Sequence, residues 1–341
     1  MVRGIGERRN TVRYRTLGTR TGLRVSEVGL GAWGIGGPVA VKNRTSPDFA
    51  PANYGDMSES QAVATIAAAI DSGINLIDTA PFYGGDGVSE RRIGQFLKGR
   101  HDDVVVVTKV GVYKEGDLYR RIYTREVVRR QVEESRQRLQ RDVLDVELIH
   151  SPTRQEYGNG EALEELLAQK AAGRVKYIGF STLFDPSQGL EWLKSGVIDV
   201  IEVPLSLVRP SMADEVLPLA EQMGVGVIAR EPLGNGFLTG RFTAETEFGP
   251  TDQRRNWPRE QVLDFIRRAE EFRFLSEGRG TTRAQSALAW VLSHRAVSTV
   301  IGGAMTDGEI RENAAVGSLD PLGTADLARA RDILDRELVS R

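Results

Sequence analysis

Asp78, Tyr83 and Lys109 offer a carboxylate, a phenol and an ammonium at or just beyond the ends of two apolar runs, NLIDTAPFYGG (75–85) and VVVVTKV (104–110). A free phenol has a pKa of about 10 and is a poor acid at neutral pH. An ammonium beside it favours the phenolate, and a carboxylate beside the ammonium keeps that group charged and in place. The three together predict a proton relay in which Tyr83 is the general acid or base. His150 ends a third run, LDVELIH (144–150), and is suited to hydrogen-bond a carbonyl oxygen. Such a site polarises a carbonyl but contains no nucleophile. The chain has no cysteine, so disulfides, thiolates and Cys-ligated metals are excluded. Its three histidines, His101, His150 and His294, leave little material for a metal site, and none is expected. The attacking species must come from elsewhere, and a hydride from a nicotinamide is the natural candidate.

These groups meet only if neighbouring strands aim them at one point. Eight short β-branched runs occur, at 25–31, 74–80, 104–110, 144–150, 175–181, 197–203, 224–230 and 298–304. Several are almost wholly apolar, as in a parallel sheet buried on both faces. Stretches with helical spacing lie between or after them, at 58–73, 124–140, 160–173, 186–196, 209–224, 284–295, 307–318 and 324–338. Strand then helix, repeated, predicts an α/β protein with a closed (β/α)8 TIM barrel, one domain over residues 1–341. Residues 14–25 are turn-rich and read as a hairpin capping the barrel floor. Residues 1–13 read as a flexible tail. Two connections, 33–57 and 238–259, exceed plain links and are expected on the C-terminal face, where barrel enzymes keep their sites.

The 341 residues carry a net charge of −2 with both signs spread along the chain, which gives no reason to expect a nucleic-acid or membrane-surface partner. No window holds the roughly 18 apolar residues needed to span a bilayer. A cytoplasmic protein acting on a small molecule is expected, and a homo-oligomer is compatible with the sequence.

The motifs resemble the aldo-keto reductase superfamily from about Tyr14 to about Leu319. NLIDTAPFYGGDGVSERRIG, VVVVTKV, DVELIHSP, GRVKYIGFST and REPLGNGFLTGRF match its blocks in order. The resemblance implies a barrel that binds NADP(H) or NAD(H) across its C-terminal face. It implies Asp78, Tyr83, Lys109 and His150 as the catalytic tetrad. It implies that Gly31, Ala32 and Trp33 lie near the nicotinamide and that Ser181 holds the carboxamide. Thr182 stands where relatives have asparagine, and Glu202 where they have glutamine. Pro232, Leu233, Gly234, Asn235 and Gly236 match the loop that clasps the pyrophosphate, with 238–259 as its lid. Arg254 and Arg255 either reach the phosphates or, the blander reading, are surface arginines.

Arg230 and Glu309 depart from the family pattern. Arg230 takes the place of an aromatic ring under the nicotinamide. Its charge predicts a bias towards the reduced cofactor, softened by Glu231, unless it turns aside into a salt bridge. Gly303, Met305 and Glu309 occupy positions where relatives often carry basic residues for the 2′-phosphate of NADP. Glu309 would repel that phosphate and could accept from a ribose hydroxyl. Glu312 and Asn313 match the pair near the adenine. Trp33, Phe82, Tyr83 and Tyr113 suggest an aromatic substrate pocket, suiting a sugar or an aromatic carbonyl. Arg120 and Arg121 follow the third run and either meet an acidic substrate or, the favoured reading, are solvated charges at a helix start. The activity implied is reduction of an aldehyde or ketone, or the reverse. The alternatives are a cofactor-binding regulatory subunit with little turnover, and an isomerase whose phosphate site is GGAMTDGE (302–309).

Overall fold

The computed structural model describes residues 12–43, 46–99 and 103–339. His101 and residues 1–11 of the expected tail lie outside the described residues. Val12 is buried and Arg13 pairs with Glu27 at 2.8 Å, so the described end of that tail is tied to the body. β1 (Tyr14–Thr16) and β2 (Arg24–Ser26) form an antiparallel hairpin around one helical turn, α1 (Gly18–Thr21). Leu17 at its tip packs with Val146, Val200 and Ile228 inside the barrel, which closes the floor as expected. Gly18 has φ +63° and lies against the Gly226 backbone, so a side chain there meets both strain and a clash.

β3 (Val28–Gly31) begins the barrel and is followed by β4 (Ala40–Asn43), β5 (Ser46–Pro51) and α2 (Glu59–Asp71). Next come β6 (Leu76–Asp78), α3 (Val88–Leu97), β7 (Val105–Val110), β8 (Val112–Glu115), β9 (Leu118–Arg121) and α4 (Arg125–Leu139). The chain continues through β10 (Leu144–His150), α5 (Arg154–Tyr157), α6 (Glu161–Ala171), β11 (Val175–Ser181), α7 (Pro186–Lys194) and β12 (Val200–Pro204). It ends with α8 (Val216–Gln222), β13 (Gly226–Arg230), α9 (Arg259–Glu271), α10 (Arg283–Leu292), β14 (Val297–Gly303), α11 (Asp307–Ala314) and α12 (Thr324–Val339). β3, β6, β7, β10, β11, β12, β13 and β14 form a closed parallel barrel, and β14 pairs with β3 to complete it. The eight runs read from the sequence are these eight strands.

The connection after β3 exceeds a plain link, as expected, and carries β4 and β5; the segment after β7, whose arginines suggest only a helix start, carries β8 and β9. β5, β4, β9 and β8 pair in that order into a separate four-stranded sheet. Arg120 and Arg121 therefore lie on a strand, in register with Tyr113 and Val112, rather than at a helix start. α3 follows Gly87, which supplies no side-chain cap, so the usual start signal is missing there.

Outside the barrel, Glu147 on β10 is buried and neither of its carboxyl oxygens has a partner. Burial pushes its carboxyl well above the ordinary range, nearby Glu90 adds to this, and Arg138 and Lys109 offset only part. A carboxyl raised by folding stabilises the protein below its unfolded pKa and loses that contribution as pH rises. Glu147→Gln should therefore flatten the fall of melting temperature above about pH 5, the upper edge of the ordinary carboxylate range. Thermal scans of both proteins from acid to alkaline pH check this. Parallel curves would contradict it.

Candidate active site

Six of the barrel strands deliver their last polar residue to one mouth. Asp78 ends β6, Lys109 is next to last on β7, and His150 ends β10. Ser181 ends β11, Glu202 lies on β12, and Arg230 and Gly303 end β13 and β14. Tyr83 comes from the turn after β6, where its N–H donates to Ala80 at 3.1 Å and its C=O accepts from Ser89 at 3.2 Å. Gly84 follows at φ +78° with its Cα against the Gly36 backbone, an approach that only glycine permits. The Trp33 ring meets Tyr83 edge-on at 4.8 Å between centroids. The phenol is thereby fixed at the barrel mouth.

Lys109 lies at 0% exposure, and its Nζ donates to Asp78 Oδ1 at 2.5 Å, Thr79 O at 3.1 Å and the Tyr83 hydroxyl at 3.2 Å. Glu202 Oε2 stands 3.4 Å from the same nitrogen. Burial opposes the lysine's charge, but Asp78 and Glu202 more than offset it, so its pKa is raised and it stays an ammonium. Burial, and then Glu202, lift the Asp78 carboxyl above its ordinary range against the pull of Lys109. The phenol departs from expectation. Lys109 does lower its pKa, but burial raises it more, so Tyr83 stands above its usual value. A neutral phenol is thus the resting form. His150 is half-buried and its Nδ1 has no partner. Burial, then Lys109, Arg121 and Arg230, hold it well below the usual imidazole pKa and therefore neutral.

Asp78, Tyr83 and His150 line a cavity of about 700 Å³, and Lys109 lies directly beneath it. Gly31, Trp33, Ser181, Glu202, Arg230, Glu231, Leu233, Gly236, Gly303, Glu309 and Asn313 line it as well. Ala32, Thr182 and Gly234 sit behind that wall: Ala32 N–H donates to Asp78 O at 2.8 Å and Thr182 C=O accepts from Arg230 at 2.9 Å. Arg230 takes the salt-bridge alternative. It ion-pairs with Glu231, and its Nε is 3.8 Å from Glu202. Arg254 is not a surface arginine. It is buried, donates to Asp252 and to Asn235 O at 2.8 Å, and lies over Tyr54 and Phe242, whereas Arg255 is exposed. Tyr113 is absent from the cavity and carries Arg130 over its ring. Tyr119 of β9 takes its place, meeting Phe82 edge-on at 4.8 Å. Arg121 also reaches the cavity, paired with Glu156 at 2.7 Å.

Sequence reasoning missed Tyr54, Tyr119, Phe184 and Arg241, all of which line the cavity. The alternation VYKEGDLYRR (112–121), with a Gly-Asp turn, is a hairpin signal that could have found Tyr119. The two long connections meet across the mouth. Gln253 N–H donates to Asn53 O at 2.7 Å, and the Tyr54 hydroxyl donates to Asn235 Oδ1 at 2.6 Å.

The lining extends from Tyr83 and His150, past Leu233 and Gly236, to Glu312 and Asn313. Beside the first group, Thr182 Oγ1 and one Glu202 oxygen are buried without hydrogen-bond partners. Hydroxyl and carboxylate groups at one end, the turn at 233–236 midway and the Asn313 amide at the other end fit a nicotinamide dinucleotide lying along the groove. Among the described residues no cluster of three or more His, Asp or Glu could hold a metal ion.

The model of the aldo/keto reductase family matches residues 27–335. An NADH-specific methylglyoxal reductase of Escherichia coli is 32% identical, with 94% of this chain and 97% of that protein covered. An L-galactose dehydrogenase of Arabidopsis thaliana is 33% identical, with 92% and 90% covered. A solved glycerol dehydrogenase of Gluconobacter oxydans superposes with a TM-score of 0.77 at 29% identity, over 95% of each chain.

Proposed function

Because the chain belongs to the aldo/keto reductase family and is an oxidoreductase, we propose that it reduces an aldehyde or ketone to the alcohol, or runs the reverse, with Tyr83 moving the proton. The contact that carries this reading is the 3.2 Å approach of Lys109 Nζ to the Tyr83 hydroxyl. When bound, the nicotinamide dinucleotide supplies or takes up the hydride.

The substrate carbonyl oxygen accepts hydrogen bonds from the Tyr83 hydroxyl and from neutral His150. Both donors are in place before reaction and need no reorganisation. As negative charge grows on that oxygen, the Tyr83 proton moves to it. An alkoxide is a far stronger base than a phenolate, so the transfer runs downhill even from a phenol of raised pKa. Lys109 then faces a phenolate, and its ammonium stabilises that charge. In the oxidative direction the phenolate removes the alcohol proton. Trp33, Phe82 and Tyr119 form the apolar wall that keeps bulk water from the reacting carbon. The relatives' names point to small, oxygen-rich substrates, and a 2-oxoaldehyde or polyhydroxy carbonyl is the proposed class. Loss of reduced-nicotinamide absorbance with methylglyoxal, glyceraldehyde and aldoses tests it. No turnover with any of these, despite bound cofactor, would overturn the reading.

Glu309 supports NADH over NADPH. Its Oε2 accepts from Met305 N–H at 2.7 Å and its Oε1 from Arg241 at 2.7 Å, so a carboxylate occupies the start of α11. A 2′-phosphate there would meet like charge. We expect kcat/KM with NADH to exceed that with NADPH by about tenfold or more, roughly 1.4 kcal/mol of discrimination. Glu309→Gln should narrow the ratio. A ratio that favours NADPH in the parent would refute the role given to Glu309.

A further inference from the structure

Lys109 has four oxygen neighbours but an ammonium has three protons. Asp78 at 2.5 Å and Thr79 O at 3.1 Å claim two. The Tyr83 hydroxyl at 3.2 Å and Glu202 Oε2 at 3.4 Å are left to compete for the third. Glu202 is held for this contest. It is 1% exposed, its Oε1 accepts from the Ser181 hydroxyl at 2.8 Å, and Arg230 Nε approaches that same oxygen at 3.8 Å. Its other oxygen is left facing Lys109 with no hydrogen bond of its own.

We propose that Glu202 is a second counter-ion of Lys109 and a positioning residue for the proton step, drawing the ammonium away from Tyr83 and holding the phenol in its protonated form. The charged and titratable groups around Tyr83 enter this balance. Asp78 comes from β6, Lys109 from β7, Arg121 from β9, His150 from β10 and Arg230 from β13, and Glu231 neutralises part of Arg230. Glu147 lies on the outer side of β10 and Lys109 acts on it across the barrel wall. Among the described residues, only Asp78 and Glu202 touch Lys109 with negative charge. Burial is the first cause of the raised Tyr83 phenol. Lys109 pulls it down, and Asp78 and then Glu202 push it up again. Removing one of those two carboxylates leaves more of the ammonium's field for the phenolate. At a few ångströms such a change shifts a pKa by one unit or more.

The consequence concerns direction. A phenol kept neutral is ready to donate over a wide pH range, which suits reduction. It becomes a base only at high pH, which confines oxidation to alkaline conditions.

The test needs no bound cofactor. Carbon-labelled tyrosine is incorporated, and the ring signal of Tyr83 is assigned by its loss in Tyr83→Phe. Its titration is then followed by NMR in the parent, in Glu202→Gln and in Glu202→Asp, each checked for unchanged folding by circular dichroism. We expect Glu202→Gln to lower the Tyr83 midpoint by about one unit, a tenfold change in phenolate share at fixed pH. Glu202→Asp, which keeps the charge but withdraws it, should fall between. In turnover, the rising limb of alcohol oxidation should move to lower pH by the same amount. Coincident Tyr83 curves in parent and Glu202→Gln, over the range where both stay folded, would overturn the proposal. The kinetic arm rests on the function proposed above, whereas the spectroscopic arm does not. A shifted phenol in a protein without turnover would sink that function and leave this inference standing.

Discussion

Tyr83→Phe lowers kcat for carbonyl reduction by about a thousandfold, within the 10²–10⁴ range of a lost general acid, and leaves the melting temperature nearly unchanged. The two halves of this expectation have separate reasons. The ring keeps its edge-on contact with Trp33, so packing is preserved. The hydroxyl contributes one hydrogen bond, to a lysine that keeps Asp78, Thr79 and Glu202. What disappears is the proton for the developing alkoxide. His150 cannot substitute readily. It is neutral, and giving up its N–H proton would leave an anionic imidazole beside a nascent alkoxide. Binding does not use the lost proton, so KM should change much less than kcat. Steady-state kinetics with both cofactors present in turn decides it. A variant within threefold of the parent would show that some other group protonates the product. An equal rise in KM would show that the phenol binds the carbonyl rather than reacting with it.

The convergence of Asp78, Lys109 and His150 was legible because each stands at or near the end of an otherwise apolar run. An apolar run that ends in Asp, Lys or His announces that residue, and three such runs within a series of eight announce where they converge. The four-stranded sheet beside the mouth was harder to see. β8 and β9 have short alternating patterns in which Arg120 and Arg121 look like helix charges, and β4 and β5 pair across a stretch rich in Pro and Asn. Arg254 was misjudged for a related reason. Its burial depends on three aromatic rings, Phe242 and Phe248 of its own connection and Tyr54 of the connection after β3. Burial is also why the phenol is less acidic than the sequence led one to expect. The charges near Tyr83 could be read from residue types, but the desolvation that outweighs them depends on how closely the walls pack. The 3.4 Å approach of Glu202 to Lys109 is equally a property of register, since β12 and β7 face each other across the barrel rather than pair.

That same register makes Lys109 the residue whose loss should cost stability most. Lys109→Met keeps a long apolar stem and removes the cation that, alone among the described residues, ion-pairs with Asp78. Asp78 and Glu202, at 2% and 1% exposure, are then left as neighbouring buried carboxylates. Breaking a buried ion pair on one side typically costs about 3–5 kcal/mol, because the stranded charge has no solvent to stabilise it. At least one carboxyl must instead take up a proton. This fixes the sign of the pH dependence. In the variant the folded-state pKa of that carboxyl lies far above its unfolded value, so the folded state binds the extra proton. Its contribution is intact in acid, below the unfolded carboxylate pKa, and is lost as pH rises towards the folded one. The deficit relative to the parent should therefore be small near pH 4 and should grow steadily to pH 8, where the full cost appears. Chemical denaturation at both pH values measures it. Adding Asp78→Asn to Lys109→Met should recover much of the loss at pH 8, because it removes one stranded charge while keeping the side chain's shape. A deficit independent of pH, or no recovery in the double variant, would mean that packing rather than charge makes this lysine necessary.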